Sequence, residues 1–101
     1  MKLKAGVIIQ GIRPELVFAL NVADRIYKMF GEILVITSLD DGKHSKLSLH
    51  YSGAAADLRT RYFDEMEIGK VADMLRSDLG VDFDVVIESD HIHLEYQPKR
   101  R

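Results

Sequence analysis

The sequence predicts an α+β domain, with helices packed on one side of a mostly antiparallel sheet. Three observations predict it. Two segments repeat apolar residues at spacings of three and four, and a glycine closes each of them. Short β-branched and apolar runs lie between and after these segments. The last two runs are separated only by Ser89-Asp90, a hairpin spacing. With 101 residues, the chain reads as one domain over residues 1–101, without linker, internal repeat or low-complexity segment.

The first ten residues carry Lys2, Lys4 and a short apolar stretch. They resemble the start of a secretory signal only faintly, because Gln10, Arg13 and Glu15 interrupt the run and no small-residue cleavage pattern follows. The expectation is a chain that is cytoplasmic as synthesised, reaching the outside, where it does so, by another route. Pro14 suits the first turn of a helix, where its missing N–H does no harm. Leu16, Ala19, Leu20, Ala23, Ile26, Tyr27 and Phe30 then form one apolar stripe, read as core packing, on a helix of about 16 residues that Gly31 stops. Residues 33–38 read as a buried strand, 39–53 as a polar loop long enough to suggest function, and 54–60 as a second strand. Asp64 or Glu65 opens the second helix; Ile68, Val71, Ala72, Leu75 and Leu79 are its apolar face and Gly80 its end. Residues 83–88 and 91–96 are the closing pair of strands.

Composition narrows function. Fourteen Lys and Arg face 16 Asp and Glu, for a formal charge of −2, which leaves no strong basic field for nucleic acid. The basic tail from Pro98 to Arg101 reads as a solvated end. The apolar runs fall far short of the ~20 residues a membrane-spanning helix needs. With no cysteine, disulfides, thiolate zinc sites, Cys nucleophiles and iron–sulfur clusters are excluded.

The four histidines, His44, His50, His91 and His93, carry the chemical information. His50 and Asp57 are seven apart. A continuous helix would separate them by ~10 Å along its axis, but a chain reversing at Gly53 can bring them together. His and Asp are ligands that suit zinc. In a strand, His91 and His93 point the same way. Two histidines and one aspartate around a metal leave a fourth position open, the layout of a catalytic zinc site.

These residues fall into two motifs. Ser48, His50, Gly53, Ala55 and Asp57 match Ser-x-His-x-x-Gly-x-Ala-x-Asp at every fixed position, and Asp90-His91-Ile92-His93 matches an acid followed three residues later by a histidine. Over about residues 34–96 the chain resembles the D-Ala-D-Ala metallopeptidases, in the superfamily shared with lysostaphin-type endopeptidases and the hedgehog signalling domain. The resemblance implies a small hedgehog/DD-peptidase-like fold holding one zinc ion on His50, Asp57 and His93. It implies Asp90 as the general base and His91 as a group beside the metal that stabilises the oxyanion. Glu88 precedes His91 by three, so Glu88 as base with His91 as ligand is a second register. The implied substrate is the peptidoglycan stem peptide, hydrolysed at or near a D-amino acid. Ser48 and Lys43 are candidate substrate contacts. Active members carry an arginine in the loop after the strand placed at 33–38, and this chain has none there; Lys43 and Lys46 are the nearest cations, without the planar fork. The alternative is therefore a zinc-binding module of the same fold that does not hydrolyse, as in hedgehog.

Overall fold

In a computed structural model the chain is described over residues 1–39 and 54–99. The elements are β1 (Lys2–Leu3), α1 (Pro14–Met29), β2 (Val35–Leu39), β3 (Ala55–Arg59), α2 (Glu65–Leu79), β4 (Phe83–Ile87) and β5 (His91–Tyr96). The predicted loop at 39–53, with Lys43, Ser48 and His50, lies outside the described residues except at Leu39.

Both helices form for the reasons read in the sequence. Pro14 stands in the first turn of α1. Gly31 follows the last turn at φ +76°, a left-handed conformation that glycine adopts without strain. Asp64 is the N-cap of α2. Its carboxylate accepts from the Glu67 N–H at 2.8 Å, and the Glu67 carboxylate accepts from the Asp64 N–H at 3.0 Å, so two otherwise unsatisfied donors are met reciprocally.

The five strands form one sheet in the order β1-β2-β3-β5-β4. Three of its pairings are antiparallel and one, β1 with β2, is parallel. The sequence reading missed β1: two residues are too few to show a period of two, and this strand is held by its backbone, with the Lys2 N–H donating to Leu34 O at 2.8 Å and Lys4 N–H to Ile36 O at 2.9 Å. The strand expected at 33–38 runs from Val35 to Leu39 instead. Ile33 is exposed, and Leu34 is buried just ahead of the strand.

Both helices pack on one face of this sheet. Ile36, Leu58, Val85, Ile92 and Leu94 point to that face and meet Leu16, Ala23, Ile26 and Tyr27 of α1 and Val71, Ala72 and Leu75 of α2. Phe63 joins them, edge-to-face with Tyr27 and Tyr62, each ring pair at 5.1 Å. The opposite face carries no helix of the described chain, and the alternate residues of β3 and β5 come out on it. Among the described residues no helix is long and apolar enough to cross a membrane.

Candidate functional site

Strand alternation builds the site. In β3, Ala56 and Leu58 are buried, so Asp57 and Arg59 take the open face; in β5, Ile92 and Leu94 are buried, so His91, His93 and Glu95 do the same. The antiparallel register then sets Asp57 opposite His93 and Arg59 opposite His91. Residues 36 apart in sequence thereby meet: His93 Nδ1 lies 2.9 Å from Asp57 Oδ1.

A chain of polar contacts extends from this pair. His93 Nε2 is 2.8 Å from Glu95 Oε1, and the Gln97 amide donates to the other Glu95 oxygen. On the other side, His91 Nε2 lies 3.5 Å from Asp57 Oδ1 and His91 Nδ1 lies 2.6 Å from Asp90 Oδ1. Carboxylates thus face both nitrogens of His93 and of His91. For His93, burial alone would lower the pKa, but the hydrogen bonds and charges of Glu95 and Asp57 outweigh it, and the imidazolium is favoured above its ordinary range. For Asp90, the hydrogen bond with His91 holds the carboxyl below the usual range.

Of the residues singled out in the sequence, the fold unites Asp57, His93, His91 and Asp90. Asp90 stands at the hairpin tip with its side chain 81% exposed. Glu88 lies one residue beyond β4 and is exposed. Its backbone N–H donates to His91 O at 2.8 Å, and among the described residues no side-chain hydrogen bond joins its carboxylate to either histidine. His50, Ser48 and Lys43 lie outside the described residues. Sequence reasoning missed Glu95 and Arg59. Each stands two residues beyond a singled-out strand residue, so the period of two that paired His91 with His93 also places them on the open face.

Two imidazole nitrogens stand around Asp57 Oδ1, His93 Nδ1 at 2.9 Å and His91 Nε2 at 3.5 Å. Two donors of a tetrahedral zinc shell with ~2.0–2.1 Å bonds stand roughly 3.3 Å apart, so the Asp57 and His93 atoms are near ligand spacing. Glu95 on the far nitrogen of His93 is the carboxylate–histidine arrangement that orients imidazole ligands. Among the described residues no group of three or more His, Asp or Glu side chains forms a set that could hold a metal ion; the remaining expected ligand is His50.

A cleft of about 390 Å³ opens beside this cluster, lined by Lys4, Thr37, Ser38, Asp57, Arg59, Arg61, Asp90 and His91. It joins the hairpin tip of β5 to the first strands of the sheet.

A scan against protein-family models finds no match to this chain. A search of curated protein sequences finds no relative either.

Proposed function

We propose that this protein is a zinc-dependent peptidase that hydrolyses the stem peptides of bacterial peptidoglycan at or near a D-amino acid. One observation carries the reading: Asp57 and His93, the two expected ligands within the described residues, stand side by side on the open face of the sheet at 2.9 Å, with Asp90 and His91 adjoining them. The pairing depends on strand register, which neither motif contains, so it supports the resemblance independently of the letters that suggested it.

His50, Asp57 and His93 would hold the ion, and Glu95 would keep the His93 ring turned toward it. When bound, zinc supplies a Lewis acid that polarises the scissile carbonyl and brings the pKa of a water toward neutrality. Asp90 is the base: its carboxyl is held below the usual range by His91, so near pH 7 it is ionised and ready to accept a proton from the attacking water, then to return it to the leaving amine. His91 connects Asp90 to Asp57 and presents Nε2 to the same space, where its doubly protonated form would offer a developing oxyanion an N–H donor.

A second reading, a zinc-binding module without hydrolysis, is favoured by one observation. Asp90 is mostly solvent-exposed and already engaged by His91 at 2.6 Å, so this carboxylate can serve to position His91 alone. One variant separates the two. Zinc-loaded protein is incubated with peptidoglycan fragments and D-Ala-D-Ala peptides, with and without chelator, beside Asp90→Ala. The peptidase reading expects chelator-sensitive cleavage, and in the variant a loss of about 10²–10⁴-fold in kcat with zinc content unchanged. Full zinc loading without turnover on any fragment selects the binding module. Undiminished cleavage by Asp90→Ala removes Asp90 as the base.

A further inference from the structure

The open-face row of β5 does not stop where the strand ends. His91, His93 and Glu95 share one parity, and Gln97 continues it just past Tyr96. Its backbone is held there. The Gln97 N–H donates to Asp82 O at 2.6 Å, which extends the β4–β5 pairing beyond Phe83 and Tyr96. Further along, the Lys99 N–H donates to Asp82 Oδ1 at 3.0 Å, and Lys99 Nζ lies 3.2 Å from Asp84 Oδ1. Up to Lys99, the tail that reads in the sequence as a solvated end is therefore tied down beside the edge strand β4. From this anchored position the Gln97 amide donates to Glu95 Oε2. The other oxygen, Glu95 Oε1, lies 2.8 Å from His93 Nε2, and His93 Nδ1 lies 2.9 Å from Asp57 Oδ1. The two oxygens of Glu95 are thus divided, one on Gln97 and one on His93.

We propose that Gln97 is a positioning residue of the metal site, acting on His93 through Glu95. This rests on the zinc site of the reading above, and it holds whether or not that site hydrolyses. A glutamate side chain has much rotamer freedom to lose when it is fixed in one place. A donor on one oxygen offsets that loss and leaves the other oxygen aimed at Nε2. An amide suits the task, because its N–H donates at every working pH and a carboxylate can only accept. With Glu95 held on Nε2, the imidazole keeps one orientation, with Nδ1 toward Asp57. Without Gln97, the carboxylate can turn to water, the ring can rotate about its Cβ–Cγ bond, and the nitrogen beside Asp57 is no longer fixed. Gln97 acts two contacts away from the ion, so its removal should lower zinc affinity without removing a ligand.

The test titrates the full chain with zinc alone, against a competing chromophoric chelator, and follows the His93 ring nitrogens by NMR in metal-free protein at one pH. Glu95→Ala should lower zinc affinity about 10–100-fold. Gln97→Met keeps the length of the side chain and removes the donor. It should lower zinc affinity about tenfold, the worth of one hydrogen bond to a charged group, and shift the His93 nitrogen signals. Gln97→Lys restores a donor and should recover most of the affinity. In the Glu95→Ala background, Gln97→Met should cost nothing further, whereas a merely loosened tail would cost the same in both backgrounds. Should Gln97→Met fail to fold, Gln97→Glu removes the same donor and should show the same loss. Unchanged zinc affinity in Gln97→Met, or equal losses in the two backgrounds, overturns the positioning role and leaves the zinc site standing. A wild-type chain that binds no zinc ends the zinc reading. The His93 signals then decide the link: a shift in Gln97→Met supports it, and no shift overturns it as well.

Discussion

The two faces of one sheet make the informative contrast. On the closed face, Leu58, Ile92 and Leu94 are wholly buried under the helices; on the open face, their immediate neighbours Asp57, His91, His93 and Glu95 make a continuous polar chain. The same two strands serve both, because successive side chains point to opposite sides. Stability should therefore reside in the even-numbered positions of β3 and β5, and chemistry in the odd-numbered ones. Each histidine or aspartate of the open face can be altered with its neighbours still anchored, which makes this sheet tolerant of functional mutation.

The largest expected effect breaks the closed face. Ile92→Ala removes a fully buried side chain between His91 and His93 and should cost about 2–5 kcal/mol in chemical denaturation. His93→Ala, one position away, should cost much less stability while removing one expected zinc ligand, read by metal analysis of the purified protein. If the two variants lose similar stability, the division of labour between faces is wrong.

A smaller effect tests how the faces are joined. The ring of Tyr27 on α1 is buried in the core, and its hydroxyl donates to the backbone carbonyl of Arg59 at 2.9 Å. Burial and the neighbouring Tyr62 push its ionisation far above the ordinary tyrosine range, so the hydroxyl stays protonated and remains a donor at any working pH. Tyr27→Phe keeps the ring packing and leaves that carbonyl without its donor, for a loss of about 1–2 kcal/mol. Since Arg59 lies at the end of β3 beside the cleft, the variant should also raise amide exchange along β3. Unchanged amide exchange along β3 would show that the helix does not position this strand.

How legible all this was depends on the kind of signal. The stripe from Leu16 to Phe30, the Asp64 cap and the hairpin at Ser89-Asp90 are local, and local chemistry sets them. β1 was invisible because its pairing comes from backbone bonds to residues more than thirty positions away, not from side-chain pattern. The period of two told which face His91 and His93 share, but nothing in it gives register, so the meeting of Asp57 with His93 had to come from the fold. Glu95 and Arg59 were within reach of that same period; they were overlooked because the motifs directed attention to histidines and the acids beside them.

The smallest expected effect sharpens the contrast by giving the open face a pH signature that the closed face lacks. His93 has a raised pKa in the folded protein, because Glu95 and Asp57 outweigh its burial. A raised folded pKa means that the folded state holds the proton more tightly than the unfolded chain, whose histidine titrates near 6.5. The stabilisation is fully present below about pH 6.5 and is lost as pH rises through the raised value. Metal-free protein should therefore unfold more easily at pH 8.5 than at pH 6. The difference should be small, within the ~0–1 kcal/mol of partly exposed ion pairs. Glu95→Gln removes one of the two carboxylates and should flatten the dependence, whereas Ile92→Ala should lower stability at both pH values alike. With zinc present the sign should reverse, since a ligating imidazole nitrogen must give up its proton and metal affinity then grows with pH. Melting temperatures across pH in chelator and in zinc, run side by side, read both slopes. Slopes of the same sign would remove His93 from the ligand set.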